Sequence, residues 1–218
     1  MKGSRYIAVE GPLGVGKTTL ARLLAEQFNG RAILEQVEEN PFLKKFYDEP
    51  RAYAFQTQLF FLLSRYRQQR ALAQQELFNQ NTVADYLFAK DQIFAQANLE
   101  ADELALYRQL FGLLDARLPK PDLVVYLEAR ADVLMERLRK RDRDYERRIA
   151  PAYLERVAEA YRQFFYHYSD SPLLVVQSSE IDFVARSADF DALLKEIQTV
   201  KKGVQHYVPL RSSSRGPR

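Results

Sequence analysis

Short apolar runs and longer stretches of helical period alternate along the chain. Tyr6-Ile7-Ala8-Val9 is an apolar, β-prone run, and residues 19–28 space Leu20, Leu23, Leu24 and Phe28 along one helical face. Residues 32–37 read as a second strand. Asn40-Pro41 then opens a short helix over 42–47, which Pro50 stops. Residues 51–78 lack Gly and Pro, and apolar side chains cover much of the surface between Tyr53 and Tyr66. That pattern predicts a long helix buried against a sheet and against a second surface. A third strand falls at 82–86, with helices at 88–98 and 101–118. Pro119-Lys120-Pro121 breaks the chain before Asp122-Leu123-Val124-Val125-Tyr126-Leu127, whose unbroken apolar run predicts a central parallel strand. Helices at 131–141 and 151–168, a strand at 173–176 and a helix at 189–201 complete the pattern. The alternation predicts an α/β fold in which a parallel sheet of about five strands is covered on both faces, with ligands at the strands' carboxyl ends.

The 218 residues suit one domain over 1–203, with a basic, disordered tail at 204–218. Net charge is +3, but Arg211, Arg215 and Arg218 account for it, and without them basic and acidic residues balance at 29 each. The body is neutral, so charge gives little support to a nucleic-acid partner. With no cysteine, neither a disulfide framework nor a cysteine-ligated zinc site is possible. The N-terminus leads directly into a strand and no apolar run approaches the roughly 18 residues of a membrane span, so the expectation is a cytoplasmic protein without a membrane partner.

One motif carries chemistry by itself. Gly11-Pro12-Leu13-Gly14-Val15-Gly16-Lys17-Thr18 has the Gly, four residues, Gly-Lys-Thr spacing of a phosphate-binding loop, set between the first strand and the first helix. The glycines let the backbone approach a polyphosphate, and successive N–H groups at the helix N-terminus face its oxygens. Lys17 then sets a cation on the β and γ phosphates, and the Thr18 hydroxyl can ligate Mg²⁺. The loop specifies a nucleoside triphosphate and a P-loop NTPase fold, and leaves the acceptor open.

Glu35 ends the second predicted strand, where the sheet's carboxyl edge would aim it at the γ-phosphate. It reads equally as a solvated strand-end acid. Glu38 and Glu39 read as first-turn acids beside a helix N-terminus. Arg137, Arg139, Arg141, Arg143, Arg147 and Arg148 crowd a stretch that also holds Asp142, Asp144 and Glu146. Such a run is either a solvated helix face or a lid around 137–150 whose arginines close over the transferring phosphate and exclude water.

The ordered set of Glu10 to Thr19, Glu35-Gln36-Val37, Asn40-Pro41-Phe42-Leu43, Phe46-Tyr47, Gln58, Ser64-Arg65 and the lid run resembles the deoxynucleoside kinases. Over residues 5–200 it is most similar to the bacterial branch of deoxycytidine, deoxyguanosine and deoxyadenosine kinases. The resemblance implies a homodimeric enzyme of nucleotide salvage that uses ATP and Mg²⁺ to phosphorylate the 5′-hydroxyl of a deoxynucleoside. It gives ATP to Gly11, Pro12, Leu13, Gly14, Val15, Gly16, Lys17, Thr18, Thr19 and Arg137, and the metal to Thr18 and Asp85. Glu35 becomes the base for the 5′-hydroxyl, with Lys17, Arg141 and Arg143 on the phosphate. Tyr47 and Glu146 would hold the sugar 3′-hydroxyl, which favours 2′-deoxyribose. Gln58 would offer its carboxamide to the base edge, the family spacing setting aside Gln56. Seven residues are about two helical turns, so Arg65 shares a face with Gln58 and could reach a purine carbonyl or ring nitrogen. Phe94 stands where the family places a ring against the base, and reads otherwise as a core phenylalanine. Asp182-Phe183 resembles the loop that frames the adenine of ATP.

Two stretches depart from the family pattern. After the third strand the family has an acid, Arg and Ser, whereas this chain reads Ala84-Asp85-Tyr86-Leu87-Phe88-Ala89-Lys90-Asp91. Asp85 serves as the acid with a one-residue shift, and Lys90 or a lid arginine is left to supply the missing charge. In the lid, Asp142 replaces the usual glycine. Arg65 and the bacterial branch favour a purine, deoxyadenosine or deoxyguanosine. The alternatives are a deoxycytidine- or thymidine-preferring kinase and a nucleoside monophosphate kinase, which would need cations for its acceptor's phosphate. A nucleic-acid or regulatory module would have to work through the tail, which lacks interleaved aromatics. Leu59, Phe60, Leu62, Leu63 and Tyr66 on the long helix supply either a dimer face or core.

Overall fold

The computed structural model describes residues 5–74, 80–115, 118–144, 146–183 and 185–209. The strands are β1 (Tyr6–Glu10), β2 (Arg31–Ile33), β3 (Thr82–Ala84), β4 (Leu123–Glu128), β5 (Leu173–Gln177) and β6 (Val204–Tyr207). They form one sheet in the order β2-β3-β1-β4-β5-β6, with every pairing parallel. The helices are α1 (Lys17–Gln27), α2 (Leu43–Asp48), α3 (Pro50–Gln74), α4 (Lys90–Asn98), α5 (Ala101–Asp115), α6 (Ala131–Arg141), α7 (Pro151–Tyr166) and α8 (Ser187–Thr199).

Side chains alternate across a strand, so consecutive apolar residues can only be buried if both faces of the sheet are covered. Ile7, Val9, Val125 and Leu127 accordingly pack on one face with Leu20 and Leu24 of α1, Leu134 of α6 and Ile197 of α8. Ala8, Val124 and Tyr126 pack on the other with Leu62 of α3, Ile93 of α4, Phe111 of α5 and Phe165 of α7. The Tyr126 and Phe165 rings stack with centroids 4.2 Å apart. Because all strands run one way, the residues that follow β1, β2 and β3 emerge side by side at a single edge.

The sheet has six strands rather than five. Val204–Tyr207 pairs with β5, Val204 beside Leu173 and Tyr207 beside Val176, in a stretch the sequence pattern assigns to the tail. An edge strand is covered on one side only, so it needs no apolar run, and Val-Gln-His-Tyr has none. Residues 210–218 of the expected tail lie outside the described residues. Helix α2 ends at Asp48, before Pro50 as expected, and Pro50 is itself the first residue of α3, where its missing N–H removes no helical bond. Strand β2 ends at Ile33, which leaves Glu35 in the loop beyond it.

Candidate active site

Strand β1 delivers the phosphate loop. Gly14 and Gly16 adopt φ of 81° and 106°, and a Cβ on Gly16 would stand 2.9 Å from the Phe183 ring. Beneath the loop, Glu10 is fully buried, and its carboxylate accepts from the Gly11 N–H (2.9 Å), the Leu87 N–H (2.7 Å) and the Tyr161 hydroxyl (2.9 Å). Three donors offset the penalty of burying that charge. Lys17 Nζ donates to the carbonyls of Gly11 (2.7 Å) and Pro12 (3.1 Å). Burial and then the nearby Lys90 lower the Lys17 pKa to about 8, against the pull of Glu10, Glu35 and Asp85.

Asp85 stands where β3 ends, beside the loop. Its Oδ2 accepts from the Thr18 hydroxyl at 2.5 Å and its Oδ1 from the Glu35 N–H at 2.7 Å. A hydroxyl and one carboxylate are an all-oxygen donor set, which fits Mg²⁺, an ion that completes its shell with water and phosphate oxygens. Among the described residues, no group of three or more His, Cys, Asp or Glu gathers as a denser metal cluster.

Glu35 is enclosed by charges from α3 and α4. Its Oε1 accepts from Arg65 Nε at 2.6 Å and from Arg65 Nη2, and its Oε2 accepts from Lys90 Nζ at 2.7 Å. Arg65 Nη1 donates in turn to Asp91 Oδ1. Burial alone would raise the Glu35 pKa, but Arg65 and Lys90 outweigh it and draw it down to about 2. Asp91, fully buried, is pushed the other way, up to about 6, by burial that exceeds the attraction of Arg65. Despite its own burial, Arg65 is held still more firmly protonated by Asp91 and Glu35. Arg65, expected on the purine, thus commits its fork to two carboxylates. Lys90 supplies the cation beside Glu35, whereas the lid arginines bond elsewhere.

Two clefts meet at the loop. Glu35, Tyr47, Asp85, Arg141, Arg143 and Glu146 line one of about 360 Å³ together with Leu13, Gly14, Lys17 and Thr18. Residues 14–19, Arg137, Arg141, Arg143, Asp182 and Phe183 line another of about 840 Å³. Arg141 grips buried Glu146 with Nε, 2.9 Å from Oε2, and with Nη2. Arg143 reaches across to Glu38, 3.4 Å away on the opposite wall. Arg137, assigned to ATP from the sequence, lines the larger cleft but spends its guanidinium on the carbonyls of Val15 (3.1 Å), Ser178 (2.9 Å) and Ile181 (3.2 Å). It braces the loop.

Gln58 and Phe94 line neither cleft. Gln58 is buried on α3 with its Oε1 unpartnered, and Phe94 sits edge-on to Tyr161 at 5.9 Å between centroids. Sequence reasoning passed over Glu10 as a structural anion and Asp91 as the partner of Arg65. Two adjacent opposite charges, Lys90-Asp91, inside the apolar stretch Tyr86 to Phe94 were the available signal.

One loop serving two clefts is the arrangement that transfer of a phosphoryl group between two bound molecules requires, and it places the chain among the P-loop phosphotransferases. Among known proteins, the deoxynucleoside kinase family matches residues 7–202, and the chain belongs to that family. A Bacillus subtilis (strain 168) protein named deoxyguanosine kinase is 36% identical over 203 residues, covering 91% of this chain and 98% of its own. A Lactobacillus acidophilus protein named deoxyadenosine kinase is 30% identical over 209 residues, covering 88% of this chain and 94% of its own. The structure of deoxyadenosine kinase from M. mycoides with bound dATP is similar in fold, with a TM-score of 0.78, 23% identity, and coverage of 89% of this chain and 100% of that one.

Proposed function

We propose that the protein transfers the γ-phosphoryl group of ATP to the 5′-hydroxyl of a purine deoxynucleoside, deoxyguanosine ahead of deoxyadenosine. The observation that carries this is Glu35, held in the same cleft as Lys17 and Thr18 by cations at both carboxylate oxygens. The triphosphate occupies the larger cleft, with its γ-phosphate at Lys17, and the sugar occupies the smaller one, its 3′-hydroxyl between Tyr47 and Glu146. As O5′ bonds to the γ-phosphorus, the bond to the leaving diphosphate breaks and the hydroxyl proton passes to Glu35. A carboxylate drawn down to about 2 is a weak base. That suits a loose transition state, in which the hydroxyl loses its proton late. Arg141 and Arg143 balance charge on the moving group. Mg²⁺, held by Thr18 and Asp85, would supply further neutralisation of the phosphate oxygens.

Gln58 Oε1 and Asp91 Oδ2 are buried acceptors without a hydrogen-bond partner. The relative of 36% identity is named for deoxyguanosine and the one of 30% identity for deoxyadenosine, which supports a purine and puts guanine first. Purified protein with ATP and Mg²⁺ is to be tested on each of the four deoxynucleosides and, in parallel, on their monophosphates. Monophosphate formed fastest from deoxyguanosine is the expected result. A pyrimidine preference would overturn the base assignment, and reaction of monophosphates alone would overturn the acceptor.

The active form on this reading is a homodimer in the cytoplasm. Leu63 on α3 is 42% exposed, and Leu106 and Leu113, about two turns apart on the adjoining α5, are 49% and 67% exposed. A second copy would cover them, and light scattering should give twice the mass of the chain. No helix among the described residues is long and apolar enough to cross a membrane.

A further inference from the structure

Where an arginine would directly follow the acid of β3, this chain has Tyr86, whose side chain is fully buried against Ile33 and Ala84. No charge enters the site at that position. A cation enters instead at the first residue of α4, as Lys90, which is only 2% exposed and whose Nζ lies 2.7 Å from Glu35 Oε2. A lysine so deeply buried needs a paired anion, and Glu35 is that anion. Lys90, Glu35, Arg65 and Asp91 form a chain of alternating sign, two cations and two anions, closed from solvent on the helix side. Within it the two cations divide the labour. Arg65 is fixed from behind by Asp91 and takes Oε1, whereas Lys90 takes Oε2 alone. Lys90 also lies close enough to Lys17 to lower its pKa.

We propose that Lys90 is the positioning residue of the acceptor site, fixing the second oxygen of Glu35 so that the carboxylate faces the acceptor hydroxyl in line with the phosphate loop. The assignment rests on the reading of Glu35 given above, and Lys90 acts through Glu35. Rotation of a carboxylate held at one oxygen only would misdirect it by more than in-line transfer tolerates, which lowers turnover without weakening ATP binding.

The experiment measures kcat, KM for ATP and KM for the deoxynucleoside in Lys90→Met, Lys90→Gln and Lys90→Arg, with thermal midpoints, and repeats Lys90→Met in a Glu35→Gln background. Lys90→Met should lose roughly 10- to 100-fold in kcat with KM for ATP within about threefold, as expected for lost orientation rather than lost binding. Lys90→Gln, which keeps a donor for Oε2 and needs no buried charge, tests the idea even where the Met variant melts. It should fall between Met and wild type, and Lys90→Arg should recover most of the loss. In the Glu35→Gln background the Met substitution should add less than about threefold, because the residue it orients is already disabled. Wild-type kcat in both Met and Gln variants, or an undiminished effect in the Glu35→Gln background, would overturn the proposal. An inactive wild type would instead sink the underlying kinase reading, so the two failures are distinguishable.

Discussion

The two sides of the proposed transfer site are built from different materials. The donor side is backbone: Lys17 rests on the carbonyls of Gly11 and Pro12, Arg137 on those of Val15, Ser178 and Ile181, and glycines shape the loop between them. The acceptor side is a network of charged side chains in which Glu35, Arg65, Lys90 and Asp91 come from three separate segments. A backbone cradle suits any polyphosphate and is specified by a short contiguous stretch. A charge network exists only once α3 and α4 have packed, and each member depends on the others for neutrality.

That difference can be broken first on the acceptor side. Glu35→Gln should reduce turnover by roughly two to four orders of magnitude, as loss of a base does, and the protein should still fold, with a lowered melting midpoint because buried Lys90 and Arg65 lose their paired anion. Near-normal turnover in steady-state assays would remove Glu35 from the chemistry. On the donor side, Gly16→Ala puts a Cβ 2.9 Å from the Phe183 ring at a φ of 106°. It should destabilise the fold by about 1–3 kcal/mol in denaturant titrations and raise KM for ATP, leaving KM for the nucleoside unchanged. The smallest effect separates the two acids of the network. Glu35, drawn down to about 2 from an ordinary 4.5, contributes stability that is present above pH 4.5 and lost as pH falls towards 2. Asp91, pushed up to about 6 from 3.8, does the reverse, contributing fully below pH 3.8 and losing that contribution as pH rises through 6. Thermal midpoints of Glu35→Gln between pH 4.5 and 2 should therefore fall less steeply than those of the wild type.

The same division explains what the sequence made legible. The loop, its flanking strand and helix, and the central run of β4 are local patterns, and the structure has them where the pattern puts them. Asp85 could be aligned despite a one-residue shift because the end of β3 fixes it next to Thr18. From the sequence the cation beside Glu35 stays open between Lys90 and a lid arginine, since Lys90 lies 55 positions away and meets Glu35 only through the packing of α4 against the sheet edge. Arg65 is marked by the family resemblance and shares a helical face with Gln58, yet spacing gives a face and not a partner, and two carboxylates take the fork expected on a purine. Strand β6 escaped notice because half-exposed edge strands lack the apolar run that marks a buried one.

Arg137 joins pieces of chain that are 122 and 41 positions from it, binding the phosphate loop at Val15 and the segment after β5 at Ser178. Neither piece can fluctuate away from the base of α6 without stranding a guanidinium that is held by carbonyls on both sides. Amide protons of the loop and of residues 178–183 should therefore exchange with solvent in a single cooperative opening, as one unit of local unfolding rather than two.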